Sequence, residues 1–219
     1  MTQAVITRST VTLALFALGL TGIVSMVALQ TADAIEEAKQ RARERSLAEL
    51  ISAESYDNRI FDTEFPAPSA DFVKLSQHIG ALKAKLGDRV TAVILTVVAP
   101  DGYSGDIEIM VAINSELAIE GARVIAHKET PGLGDKIDIQ KSAWITYFEG
   151  ANLEGDHENR WRVKKDGGDF DQFTGATITP RAVIRALHAS LRYTRDHYQT
   201  LFERPFIEVN PLTSQSEGE

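Results

Sequence analysis

An α+β fold is predicted, an antiparallel sheet with packed helices preceded by a single N-terminal transmembrane helix, and three observations predict it. An uncharged run of 19 residues, 11–29, lies near the N-terminus. Two β-rich runs, 90–98 and 107–113, are joined by the Gly- and Asp-rich connection APDGYSGD, the pattern of an antiparallel hairpin. A strongly periodic helical stretch comes only later, from Pro180 to about Phe202. Strands followed by helices, rather than alternating with them, favour α+β over a parallel sheet.

In chain order, residues 1–10 form a short leading segment with Arg8 as its one basic residue. Residues 11–29 follow as the transmembrane helix, since at 1.5 Å per residue they reach roughly 28 Å, close to the thickness of a bilayer core. A cleaved secretory signal is the alternative, because Ala32-Asp33-Ala34 offers an Ala-x-Ala site. The apolar run is longer than the ~7–15 residues of such a signal, which favours a retained anchor. Residues 30–53 read as a charged helical stalk with Ile35, Ala38, Ala42, Leu47 and Leu50 loosely on one side. Lys39, Arg41, Arg43 and Arg45 follow the span while only Arg8 precedes it. That count alone leaves the large domain in the cytoplasm.

Residues 54–209 make the main domain. Its first part, 54–68, carries Asp57-Asn58, Pro66 and Pro68 and reads as a connection. Ser69 then caps a predicted helix in which Phe72, Leu75, Ile79, Leu82 and Leu86 recur at three and four, and Gly87 ends it. The hairpin strands come next, with 121–127 as a third strand and a helical segment around 142–148. Residues 210–219 are a polar, acidic tail expected to fray.

Composition narrows the functional classes. The 219 residues are 43% hydrophobic, enough for one domain with a core behind the anchor. Lys and Arg total 23 against 31 Asp and Glu, and the formal net charge of -8 argues against a nucleic-acid partner. There is no cysteine, which excludes disulfides, thiolate metal sites and cysteine nucleophiles. His78, His127, His157, His188 and His197 are scattered, without the spacing of a helix-borne metal site, so no metal is expected.

Three stretches could carry chemistry. In TGATITP, Thr179 is placed as the N-cap of the last helix and Pro180 at its first helical position, where the missing N–H costs nothing. Gly175 and Ala176 let a ligand approach the backbone, and the helix start beyond them favours a phosphate. A polar turn with a cap explains Thr179; a bound anion would also explain Thr174 and Thr177. In HKETPGLGDKI, Pro131-Gly132 suits a type II turn and Gly134 frees the backbone again. Such a loop either lies flat against a planar ligand or is a plain connection in which Glu129 and Asp135 are ordinary exposed charges. In VKKDGGDFD, Lys164 and Lys165 either offset a phosphate or are simply solvated. Trp144, Trp161 and Phe173 are assigned to the core or to a site lining.

Together DGYSGDIEI, ETPGLGDKI, KKDGGDFDQFTGATITPRAV and the single N-terminal anchor closely resemble the G subunit of the Rnf (Rsx) ion-translocating electron transport complex. The C subunit of the sodium-pumping NADH:quinone oxidoreductase is a more distant likeness. The similarity covers most of the chain from the span to about Leu191, with the motifs in the same order. It implies one FMN, joined through its phosphate to the last threonine of a Ser/Thr-Gly-Ala-Thr motif. Here that motif is Thr174-Gly175-Ala176-Thr177 and the acceptor is Thr177. Thr174 and Thr179 are then polar neighbours, and Gly175 and Ala176 keep the space clear. The resemblance further implies that Glu129, Thr130, Pro131, Gly132 and Leu133 lie near the isoalloxazine ring. Asp171 matches the acidic position that a flavin transferase reads during maturation. The other membrane subunits of the Rnf complex are the implied partners, and the implied location is the bacterial inner membrane with the large domain on the periplasmic side, against the charge count. No residue of the chain need be a catalytic acid, base or nucleophile, because the flavin carries the electrons. Two alternatives stand beside this reading: a non-redox extracytoplasmic binding or assembly module in which TGAT is only a cap, and a secreted flavoprotein released at Ala34.

Overall fold

The computed structural model describes residues 2–70, 73–75, 81–154 and 160–203, and the chain divides into two units, Met1–Glu44 and Arg45–Glu219. The first unit is made by helix α1, which is assigned over Thr2–Leu50. Within it Thr10–Ile35, 26 residues with a mean hydropathy of 2.2, is long and apolar enough to cross a membrane. Leu13, Phe16, Leu18 and Leu29 are all exposed there, as side chains meant for an apolar solvent would be. This is a candidate membrane span.

The second unit is built on a four-stranded antiparallel sheet in the order β1-β2-β3-β4. The strands are β1 (Leu82–Leu86), β2 (Arg89–Gly102), β3 (Gly105–Asn114) and β4 (Ile119–Ala126). The predicted β2–β3 hairpin is present, with Gly102 opposite Gly105 at its tip. The segment read as a helix from Ser69 to Leu86 is not one where it is described: Leu75 bridges to Val97 and residues 82–86 are a strand. Phe72 and Ile79, which carried part of that periodicity, lie outside the described residues, as do His78, His157 and the tail 210–219. Gly87, expected to stop a helix, turns a hairpin instead. Its φ of +61° and the pairing of Leu86 with Arg89 make Gly87-Asp88 a two-residue loop.

Strand alternation divides the core in two. Val93, Leu95 and Val97 of β2 and their partners Ile113, Val111 and Ile109 of β3 face one side. Helix α2 (Ile178–Asp196) covers them with Val183, Leu187 and Leu191, spaced at the four residues that keep one helix face. Trp144 and Phe148, from the 3₁₀ turn Ala143–Phe148, complete that layer. The other side carries Ala92, Ile94, Met110 and Ala112 and is covered by Leu47, Leu50 and Ile51, together with Ile60 from a 3₁₀ turn, Ile60–Thr63. Arg123 of β4 fixes that cover: its Nη2 donates to the Glu49 carbonyl at 3.0 Å and its Nε pairs with the Glu49 carboxylate at 3.3 Å. Gly121 allows the approach, since a Cβ there would stand 2.6 Å from the Leu50 carbonyl oxygen.

Far from the helix start, the Tyr193 hydroxyl donates to the Pro68 carbonyl at 2.7 Å. Burial pushes that phenol up to about 12.

Candidate functional site

The mouth of α2 differs in register from the sequence expectation. The helix begins at Ile178 rather than Pro180, and Thr177, not Thr179, is the residue before it. Thr177 is half-buried, and its hydroxyl makes no cap hydrogen bond and has no partner among the described residues. Pro180 occupies the third helical position, where an N–H would still have no acceptor within the helix. The N–H groups of Ile178 and Thr179 precede the first intrahelical bond, from Arg181 to the Thr177 carbonyl. Thr174 and Gly175 are exposed ahead of them, and Gly175 holds φ at +81°, a conformation that favours glycine.

Thr179 has another task. It is fully buried, and its hydroxyl donates to Glu129 Oε2 at 2.6 Å across fifty residues of sequence. The second oxygen of Glu129 accepts the Ser104 N–H at 3.0 Å, at the tip of the β2–β3 hairpin. The Glu129 N–H donates to His127 Nδ1 at 3.1 Å. Glu129, only 5% exposed, is therefore a buried post joining the hairpin tip, the ETPGLG loop and the helix mouth. The reading of Glu129 and Asp135 as ordinary exposed charges is overturned for both, since Asp135 is 8% exposed. No local pattern reveals this, because the partners of Glu129 are distant in sequence.

Two glycines let the post assemble. A Cβ on Gly134 would stand 2.6 Å from Glu129 Oε2 and 2.9 Å from Thr179 Oγ1. One on Gly102 would stand 2.9 Å from Glu129 Oε1 and still closer to the Gly105 carbonyl. Above the post, Thr130, Pro131, Gly132 and Leu133 are exposed, held in a tight turn by the N–H groups of Leu133 and Gly134, both donating to the Thr130 carbonyl. Leu133 reaches the threonine motif: its Cδ2 lies 3.6 Å from the position a Gly175 Cβ would occupy. The ETPGLG loop and the TGAT turn, forty residues apart in sequence, thus meet at one surface.

The approach to that turn is anchored from below and from the side. Trp144 donates its indole N–H to the Asp171 carbonyl at 2.8 Å, and its ring meets Phe173 edge-on at 5.0 Å. Phe148 stacks on Phe170 at 4.4 Å. Trp144, Trp161 and Phe173 are thus core residues, as the aromatic content suggested. The Lys164 ammonium pairs with the Asp171 carboxylate at 2.8 Å, so this lysine is neither simply solvated nor aimed at Thr177. Arg181 in the first turn of α2 makes a two-pronged contact with Asp166, at 2.7 and 2.8 Å. That hydrogen bond holds the Asp166 carboxyl below its ordinary range. Among the described residues no cluster of His, Cys, Asp and Glu could hold a metal.

Residues 102–192 match the FMN-binding domain family, and residues 1–50 match the RnfG N-terminal region. The chain is 47% identical over 186 residues to the G subunit of the ion-translocating oxidoreductase complex of Pseudomonas aeruginosa, covering 85% of this chain and 87% of that one. The chain belongs to the family of G subunits of the ion-translocating oxidoreductase complex. Other members include the G subunit of Shewanella loihica, 42% identical over 193 residues (88% of this chain, 91% of that one). That of Aliivibrio fischeri is 37% identical over 198 residues (90% and 94%). In this chain the FMN-binding domain opens at Gly102, the hairpin tip, and closes inside α2. It therefore takes in Ser104, the whole ETPGLG loop and the TGAT turn, the three segments that Glu129 and Leu133 draw together.

Proposed function

We propose that this protein is a membrane-anchored flavoprotein that relays electrons through one FMN, held by a phosphoester to Thr177. The observation that carries the reading is the uncommitted Thr177 hydroxyl at the mouth of α2, two residues after Gly175, which lies in the left-handed region and which Leu133 approaches. The residues present fit such a group. Thr177 supplies the ester oxygen, and the first N–H groups of α2 and its positive end stabilise the phosphate charge. Gly175 without a side chain and Ala176 with only a methyl group leave room for the ester, and the exposed segment 130–133 gives the ring a support. FMN, once bound, accepts and passes on one or two electrons.

The chain's own residues position and retain. The ester keeps the cofactor from diffusing away, which removes the cost of rebinding it. Glu129 acts through its neighbours: with one oxygen bonded to Ser104 and the other to Thr179, it fixes the spacing between the loop and the helix mouth. Thr179 belongs to that post, and Thr174 is the exposed polar neighbour of the ester. Asp171 is the acidic residue a flavin transferase would read, exposed enough to be reached beside Lys164.

In this reading residues 11–29 span the bacterial inner membrane, the stalk runs on from residue 30 to Glu44, and the periplasmic domain begins at Arg45, since Leu47, Leu50 and Ile51 already pack on its sheet; that domain meets other membrane subunits of the complex. The relatives are G subunits of an ion-translocating oxidoreductase complex, which supports that membership. A non-redox anchored module is the competing function. Full-length protein made together with a flavin transferase, then denatured and run on a gel, separates the two. A fluorescent band that disappears in Thr177→Val supports the ester; a dark wild-type band rejects it.

A further inference from the structure

One carboxyl beside the helix mouth lacks the partner that burial demands. Asp135 is 8% exposed, and its Oδ1 is buried without a hydrogen-bond donor among the described residues. An acceptor left unmade in the interior is costly, so native folds satisfy such atoms with protein, water or ligand. Glu129, the other buried carboxyl of the same loop, has both oxygens satisfied.

The position of Asp135 says which ligand is in reach. It directly follows Leu133 and Gly134, the two residues that touch the threonine segment: Leu133 next to Gly175, and Gly134 against Thr179 Oγ1. Its backbone is held there by the short 3₁₀ turn Gly134–Ile137, whose Ile137 is fully buried and whose Asp135 carbonyl accepts the Asp138 N–H at 3.0 Å. Gly134, pinned between Glu129 and Thr179, holds the Asp135 backbone beside the helix mouth.

We infer that Asp135 is a further positioning residue of the flavin site, its free oxygen accepting a hydrogen bond from a ribityl hydroxyl of the FMN on Thr177. This rests on the Thr177 reading. The ribityl chain leaves directly from the phosphate, so its hydroxyls are the donors nearest an ester two residues from Thr179, and the ring lies further out. An acceptor fixed inside the loop would order the flexible ribityl linkage and with it the placement of the ring. No bond is made or broken in this contact.

A thermal unfolding cycle tests it, using the full chain in detergent, made together with a flavin transferase, with flavin content read by intact mass. In the Thr177→Val background, Asp135→Leu should raise Tm by about 3–8 °C, because an unsatisfied buried oxygen is replaced by apolar atoms of similar shape. In the flavinylated chain the same substitution should leave Tm unchanged or lower it, because the bond to FMN is lost. Asp135→Asn, which keeps an acceptor oxygen, should hold the flavinylated chain within about 2 °C of the parent. If the Leu variant does not accumulate, the Asn variant decides, its shift being more positive without flavin than with it. Equal shifts in the two backgrounds overturn the contact while leaving the ester intact. A wild-type chain that carries no flavin removes both.

Discussion

The rim of the α2 mouth and the post beneath it are built from similar residues on opposite terms. The rim, Thr174 to Thr177 with the loop tip 130–133, is exposed or half-buried, and the Thr177 hydroxyl is uncommitted. The post, Glu129 with Thr179 and Ser104, is held by two hydrogen bonds, one to each carboxyl oxygen, and by a third from the Glu129 N–H to His127. Two threonines two residues apart thus differ: the Thr177 hydroxyl stays uncommitted, as the proposed ester requires, and that of Thr179 holds the loop against the helix. The difference teaches that a binding surface can stay open only where a satisfied polar network below it fixes the geometry.

The comparison can be broken from either side. Thr177→Val has the largest expected effect, complete loss of attached FMN with the melting of the flavin-free chain changed by less than about 0.5 kcal/mol, since no bond within the protein is lost. Flavin content and calorimetry on the same sample check both halves. Glu129→Ala should cost about 3 kcal/mol by stranding the Thr179 hydroxyl and the Ser104 N–H and opening a small cavity. A urea titration measures it.

Tyr193, at the far end of α2, gives a control outside both regions. Its folded pKa lies near 12 against an ordinary value of 10.0, so the folded state holds the proton more tightly. The stabilisation is fully present below pH 10 and disappears as pH rises to about 12, a loss of about 2–3 kcal/mol. Tyr193→Phe should remove that fall from the pH–stability curve while leaving flavin attachment unaffected. Thr179→Val should cost about 2 kcal/mol by leaving Glu129 Oε2 without its donor. An N-cap role would give about 1 kcal/mol and no effect on the loop, so hydrogen exchange at 129–135 separates the two. Lys164→Ala, which breaks an exposed pair with Asp171, should change stability by under about 1 kcal/mol.

Much of the fold was legible in the chain because the signals were local. The β2–β3 hairpin is written in APDGYSGD, and α2 in the apolar spacing of Val183, Leu187 and Leu191. Strand β1 was not legible, since Leu82 and Leu86 continue a spacing of three and four begun upstream, and a glycine after them suits a helix stop as well as a hairpin turn. Only the pairing with β2 decides. At the site, the TGAT turn and the ETPGLG loop stood out as separate candidates, and the resemblance implied that both serve one cofactor. The register of the helix start did not stand out, because Thr-Pro mimics a cap followed by a first helical residue. Thr179, the expected cap, instead spends its hydroxyl on a carboxyl fifty residues away, a partner that no local pattern announces.

Peptide mass spectrometry on the full chain matured with a flavin transferase tests the ester most directly. The peptide containing residues 174–180 should be heavier by one FMN less one water, with fragmentation placing the addition on Thr177. An unmodified peptide, or an addition on Thr174 or Thr179, would contradict the account.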